Sequence, residues 1–357
     1  MNQGLFHYQQ KFELESGEYL SGFQLKYSTA GALNKERSNV IWVTHALTGS
    51  SDVLDWWKGL FEPGAAFDLT KYFVICANGL GGCYGSTGPL TINPETGKTY
   101  YHTFPQITHR DTVRAFDLLR EYLDLPIIHT LIGGSLGGQQ VLEWAILKPE
   151  VIQNIVPIAC NAWHSPWGIA FNETQRMAIA ADATWREESA RAGVNGMKAA
   201  RAMAMISYRT FNIYDNTQAE TQSDKLNDFR AASYQRYQGD KLANRFNAFT
   251  YWIFSKAMDS HNVARGKDSA EKVLNTIRAN TLVIGIESDV LFPISEQQFL
   301  VKHIPVAALA LIESDYGHDG FLVEFEQLNR ILLKFLNEKT SGRKLQASSH
   351  KRLAIVL

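Results

Sequence analysis

Cysteine is scarce in this chain: Cys76, Cys83 and Cys160 are three in 357 residues. So few, odd in number and outside any C-x-x-C or Cys/His cluster, they argue against a disulfide framework and a structural metal. A reducing cytoplasm is the default expectation, with no metal and no bound cofactor. An excess of one charge is missing too. Thirty-five Lys and Arg face 36 Asp and Glu, net −1, which leaves no electrostatic footprint for nucleic acid or an anionic membrane. No apolar run approaches a membrane span, and Met1-Asn2-Gln3-Gly4 lacks the basic and apolar regions of a signal peptide. What is left, 45% hydrophobic and 20% charged, suits a soluble globular protein. The length allows one large domain, or a domain carrying an insertion.

What is present centres on Leu131-Ile132-Gly133-Gly134-Ser135-Leu136-Gly137-Gly138-Gln139-Gln140. Apolar residues from Ile127 to Ile132 read as a short buried strand, and Val141-Leu142-Glu143-Trp144-Ala145 continues as a helix. Ser135 therefore stands at the apex of a G-x-S-x-G turn between strand and helix. Glycines suit a strained turn whose backbones pack closely. The N–H of Leu136 lies at the helix N-terminus, where developing negative charge is favoured.

The segments on either side read as an alternation of strands and helices. Phe6 to Thr29 alternates apolar and polar positions as antiparallel strands do. Val40-Ile41-Trp42-Val43-Thr44 is a buried strand that opens into His45-Ala46-Leu47-Thr48-Gly49-Ser50. A loop of that kind supplies the second oxyanion donor in α/β-hydrolases, here the N–H of Leu47. His45 reads as a histidine orienting this loop rather than as a catalytic base. Tyr72 to Ala77 is a further strand, leading to the Gly-rich stretch Asn78 to Pro89. That stretch lacks a G-K-[ST] ending and a G-x-G-x-x-G helix start, so it is a shaped loop near the pocket and not a phosphate cradle. Ile107 to Tyr122 has helical spacing, and Val151 to Ala159 is another strand.

From Ser165 to about Asn275 the alternation stops in favour of helical patterns rich in Ala, Arg, Gln and Tyr. This predicts a helical lid inserted into an α/β core, because no linker-like composition flanks it. The alternation resumes with Thr281 to Ile286, Ala307 to Ile312 and a closing helix from about Gly320 to Asn337. The expected organisation is a core over 1–164 and 276–339, a lid over 165–275 and a polar, basic tail over 340–357, poorly ordered or a minor packing arm.

A serine hydroxyl needs a base to remove its proton, and that base needs an acidic orienter. In this fold class they follow in the order Ser, Asp or Glu, His. Asp289 follows one strand and His318 the next, each just past a C-terminal strand end, where open α/β sheets place their sites. Other histidines precede Ser135 or any candidate acid, or lie in the tail or a helical stretch. Glu287, nearer the strand, is the competing orienter.

With these residues assembled, the chain resembles the homoserine O-acetyltransferase family, the acyl-CoA-dependent branch of the α/β-hydrolase superfamily, from about Phe12 to Asn337. The resemblance rests on the 45–50 and 79–89 loops, Gly133 to Gly138, Ser260-His261-Asn262-Val263-Ala264-Arg265-Gly266 and Tyr316-Gly317-His318-Asp319-Gly320-Phe321. It implies an α/β-hydrolase fold, a mostly parallel sheet flanked by helices with an inserted helical lid, and a homodimer to which the lid contributes. It also implies ping-pong acetyl transfer from acetyl-CoA to L-homoserine in methionine biosynthesis. Ser135, Asp289 and His318 match the triad, and Leu47 and Leu136 the oxyanion positions. Arg201 and Tyr208 match lid residues lining the substrate site, and Asp319 an acidic residue beside the histidine. Arg201 suits a carboxylate by bidentate geometry, and Asp319 an ammonium group. Ser207, where relatives usually have Thr, and Asn262, where they often have Asp, depart from the pattern and leave substrate choice open. Succinyl transfer, acylation of serine, a plain esterase or thioesterase, and a non-catalytic binding protein are the competing readings.

Overall fold

The computed structural model describes residues 1–340 and 354–355. Nearly all of the tail expected over 340–357 therefore lies outside the described residues. In the core, β1 (Asn2–Tyr8), the two-stranded hairpin of β2 (Phe12–Glu13) and β3 (Tyr19–Leu20), and β4 (Phe23–Ala30) open the chain. Next come β5 (Val40–Thr44), α1 (Val53–Trp56), β6 (Phe73–Ala77), α2 (His109–Tyr122), β7 (Ile128–Gly134), α3 (Leu136–Leu147) and β8 (Ile152–Ile158). Helices α4 (Pro166–Ala180), α5 (Val194–Tyr208), α6 (Phe211–Gln218), α7 (Arg230–Ala243), α8 (Ala248–Asp259) and α9 (Ala270–Leu274) interrupt the alternation. It resumes with β9 (Asn280–Ile286), α10 (Ile294–His303), β10 (Ala307–Ile312), α11 (Gly320–Val323), α12 (Phe325–Thr340) and β11 (Ala354–Ile355).

One sheet runs β1-β4-β6-β5-β7-β8-β9-β10-β11. β1, β4 and β6 pair antiparallel, and every pairing from β6 to β11 is parallel. Parallel strands covered on both faces read as continuous apolar runs, and β5, Val-Ile-Trp-Val-Thr, is buried throughout. α2 begins at His109 and not at Ile107, because the Thr108 side chain caps it and Asp111 reciprocates in a capping box. Residues Leu136 to Ala145 of α3 are all buried, so the helix after Ser135 runs through the middle of the molecule, with its polar side chains Gln139 and Glu143 hydrogen-bonded inside it.

Each sheet face carries its own apolar core. One joins Trp42, Leu131, Val141 and Trp144 to α2 residues such as Phe116; the other joins Val43, Ile132 and Ile158 to Phe321 and Leu332. A third core knits the helical insertion together through Trp185, Met197, Phe246, Phe249, Tyr251 and Phe254. It takes in Leu47, Leu136, Leu291 and Phe292 from the sheet's loops. The insertion's own apolar interior thus closes directly on the loops at the strand ends. Ala270, Val273 and Leu274 of α9 instead pack into the first core, which assigns this helix to the sheet rather than to the cover. No helix among the described residues is long and apolar enough to cross a membrane.

Candidate active site

Ser135 links β7 to α3 with φ 58° and ψ −123°, a strained backbone for a residue with a Cβ. Its neighbours explain how the strain is held. A Cβ on Gly137 would lie 2.3 Å from the carbonyl oxygen of Thr44, and one on Gly134 2.5 Å from the Phe321 ring. The Ser135 N–H donates to the carbonyl of Ile158 at 2.9 Å, and the Thr44 hydroxyl donates to that of Gly137 at 2.9 Å. The elbow is therefore clamped between β5 and β8, and Ser135 is 6% exposed.

The loop after β5 lies against the start of α3. His45 is buried, with its Nδ1 2.9 Å from the Ala46 carbonyl and its Nε2 accepting the Gly79 N–H at 3.0 Å. Both ring nitrogens are thereby committed to holding the 45–50 loop on the Gly-rich loop, and burial lowers the pKa of this imidazole. The Gly-rich loop folds on itself: Gly81 N–H donates to Thr87, Gly82 N–H to Gly79, and Asn78 bonds Ser51 and Tyr84. The N–H groups of Leu47 and Leu136, from the ends of adjacent strands, have no acceptor among the described residues.

Asp289 and His318 meet at the ends of β9 and β10. His318 Nδ1 lies 2.7 Å from Asp289 Oδ2, while Asp289 Oδ1 accepts the N–H groups of Leu291 at 2.8 Å and Phe292 at 3.0 Å. Both residues are buried. Burial works against the charged imidazole, but the Asp289 carboxylate, by charge and hydrogen bond, and Asp319 outweigh it, so the His318 pKa lies above the ordinary histidine value. The ring is gripped on several sides: Phe292 stacks on it at 5.1 Å, Phe321 meets it edge-on at 5.7 Å and Tyr208 lies at 5.5 Å. Phe321 also touches Gly134, so one aromatic ring bridges the elbow and the imidazole. Ser135 Oγ and His318 Nε2 make no hydrogen bond among the described residues; in enzymes without substrate such bonds often form only on binding. Glu287 is exposed, and the carboxylate at the imidazole is that of Asp289.

The other expected residues fall around this pair. Arg201 on α5 is half-buried, its guanidinium 5.5 Å from the Tyr208 ring centre, with no carboxylate in ion-pair range among the described residues. Tyr208 is pushed up to about 12, first by burial. Asp319 already has a partner: the Arg209 Nε donates to its Oδ2 at 2.9 Å. Arg209 follows Tyr208 directly but carries no sequence motif that marks it. Phe292, the stacking partner of His318, sits in sequence inside an apolar run that looks like ordinary core. Ser207 bonds the Ala204 carbonyl within its own helix and Asn262 caps a local turn at Ala264, so neither departure reaches the triad.

Beneath α3 runs a buried polar network that no sequence motif announces. His109 Nε2 lies 2.9 Å from Gln139 Oε1, and Gln139 donates to Asn161 Oδ1 at 2.9 Å. Asn161 in turn donates to Glu296 at 3.1 Å, and its carbonyl faces His261 Nε2 at 2.9 Å. The Ser260 to Gly266 segment is held here, because Arg110 bonds the carbonyls of Asn262, Val263 and Arg265 as well as Glu143. Burial pushes His109 and His164 down to about 4 and Glu296 up to about 7. Among the described residues no group of three or more His, Cys, Asp or Glu is placed to hold a metal ion.

A serine on a strand–elbow–helix turn, with a carboxylate–imidazole pair from later strands of a parallel sheet, defines an enzyme of the α/β-hydrolase fold. The family model described as alpha/beta hydrolase fold matches residues 39–325. Within that class the similarity is narrower. The chain is 50% identical over 338 residues to the homoserine O-acetyltransferase of Cyclobacterium marinum, covering 95% of this chain and 96% of that one. Among solved structures it is similar to the homoserine O-acetyltransferase of Bacillus anthracis, with TM-score 0.87, 25% identity and coverage of 94% and 97%. Esterase E22 follows at TM-score 0.84 and 25% identity, covering 94% and 99%. The chain belongs to the homoserine O-acetyltransferase family, and is an acyltransferase built on the α/β-hydrolase fold.

Proposed function

We propose that the protein transfers an acetyl group from acetyl-CoA to the hydroxyl of L-homoserine through an acetyl ester on Ser135. His318 takes the Ser135 proton as Oγ attacks the thioester carbonyl. The N–H groups of Leu47 and Leu136 hold the oxyanion, and the C–S bond breaks as His318 returns the proton to the leaving thiolate. The homoserine hydroxyl then enters, His318 removes its proton, and collapse of the second tetrahedral intermediate regenerates Ser135 and releases O-acetyl-L-homoserine. Each oxyanion donor is worth about a hundred- to thousandfold in such reactions. The two N–H groups without acceptors among the described residues, at the start of α3 and in the loop beside it, support this assignment.

The observation that carries the acceptor is Arg201: a half-buried cation with no carboxylate partner among the described residues, packed on the tyrosine that flanks His318. A guanidinium left unpaired in such surroundings suits a bidentate carboxylate, which homoserine brings. The names of the relatives point to the same acceptor. Methionine biosynthesis, in the cytoplasm, is the role that goes with this reading. A homodimer fits the exposed apolar side chains of the helical insertion, among them Met177, Ile206, Phe211, Leu226 and Phe229.

The test is a steady-state assay offering acetyl-CoA and succinyl-CoA against homoserine and serine, with free acetate measured in parallel. Acetyl transfer to homoserine faster than to serine, from acetyl-CoA faster than from succinyl-CoA, and faster than acetate release is the expected result. Acetate release outrunning transfer would make the protein a hydrolase, here a thioesterase, closer in chemistry to its esterase neighbour.

A further inference from the structure

Two arginines and one carboxylate converge beside His318, and they are not equivalent. The Arg201 guanidinium lies 5.5 Å from the Tyr208 ring centre, and the same ring lies 5.5 Å from that of His318, the residue before Asp319, so these two opposite charges lie on either side of one tyrosine. Yet the ion pair that forms is Arg209 with Asp319, side chains 18% and 15% exposed. Only Nε of Arg209 and Oδ2 of Asp319 take part, and Oδ1 has no donor among the described residues. The Arg209 guanidinium also lies 4.9 Å from the Tyr316 ring centre.

The backbone around this pair is fixed on both sides. Gly317 has φ 61°, and a Cβ there would lie 3.0 Å from the Tyr208 carbonyl oxygen. The Thr210 hydroxyl donates to the Asp315 carbonyl. The residues that end α5 therefore lie directly on the loop that carries His318 and Asp319.

We propose that Arg209 is a positioning residue that keeps Asp319 away from Arg201, so that a zwitterionic acceptor finds both charges available. Two unlike charges in one partly buried space attract strongly. Without Arg209, Asp319 pairs with Arg201, and the site neutralises itself before the acceptor arrives. With Arg209 in place, Asp319 presents its second oxygen to the ammonium group and Arg201 stays open for the carboxylate. The inference rests on the acceptor proposed above, an α-amino acid with a side-chain hydroxyl.

The experiment compares the wild type, Arg209→Met and Arg209→Lys in three reactions. These are acylation by p-nitrophenyl acetate, transfer to homoserine, and transfer to 4-hydroxybutanoate, which lacks the ammonium group. Loss of one charged contact predicts that Arg209→Met lowers the preference for homoserine over 4-hydroxybutanoate by about ten- to hundredfold. Most of this is expected in the KM for homoserine, with acylation reduced far less. Arg209→Lys, which keeps the charge, restores most of the preference, and Arg209→Met adds little on an Asp319→Asn background. The proposal is overturned if Arg209→Met lowers all three reactions by one factor, as a purely structural latch would, or leaves the preference unchanged. A wild type that does not acetylate homoserine at all overturns the acceptor assignment itself, and is read before any variant.

Discussion

Replacing Gly137 by alanine tests whether the elbow is held by contact with β5. The added Cβ would lie 2.3 Å from the Thr44 carbonyl oxygen, 2.9 Å from its carbon and 3.1 Å from the His45 carbonyl oxygen. These are backbone atoms of a buried strand and its loop, and they have no free end to swing aside. Ordinary contact begins near 3.4 Å, so α3 must lift by about 1 Å, carrying the N–H of Leu136 away from that of Leu47. Overpacking of this kind destabilises by about 1–3 kcal/mol, and a shift of about 1 Å in reacting groups costs about a hundredfold in rate. Gly137→Ala is thus expected to stay folded by circular dichroism, melt several degrees lower and lose about a hundredfold in burst acylation by p-nitrophenyl acetate. Gly64→Ala is the control, because its Cβ meets nothing within 4 Å although φ is +85°. It should lose a little stability and no acylation rate. Gly137→Ala acylating within twofold of wild type would refute the clamped elbow.

Further outcomes follow from the same geometry. Asp289→Asn removes the group that holds and charges His318, and should lower kcat by about ten-thousandfold, as the loss of the orienting acid does in serine triads. The His318 pKa is raised, and imidazolium cannot accept the Ser135 proton. Wild-type kcat/KM should therefore climb with pH through a value above the ordinary histidine range, and in Asp289→Asn the residual activity should climb at a lower pH. Arg201→Met should raise the KM for homoserine while acylation falls much less. The buried histidines predict acid sensitivity. His109 falls from 6.5 to about 4, so its neutral form contributes stability above pH 6.5 that is lost as pH falls through about 4, up to about 3 kcal/mol. Thermal melts should show His109→Gln less stable than wild type at pH 7.5, with that gap shrinking towards pH 4.5.

Short-range pattern made much of this architecture readable. β5, β7 and β9 are apolar runs bounded by loops, and Gly133 to Gly138 states its turn in six letters. Asp289 and His318 could be named from chain order because each follows a strand end. Contacts between distant segments were not readable. The Arg209–Asp319 pair spans 110 residues, and neither residue's surroundings in sequence hint at the other. The His109–Gln139–Asn161–Glu296 network joins four separate elements, and each residue alone resembles an ordinary surface polar group. α9 falls within the stretch read as lid, yet its apolar side belongs to the sheet, which only packing decides. The start of α2 moved by two residues because a single threonine side chain sets it.

The measurement closest to the central claim is mass spectrometry of the enzyme after brief exposure to acetyl-CoA, with peptides mapped across the chain. An acetyl ester on Ser135 that homoserine discharges as O-acetylhomoserine, and that is absent from Ser135→Ala, is the predicted result. An acetyl group on any other residue that homoserine discharges, or transfer to homoserine that survives the loss of Ser135, would contradict it.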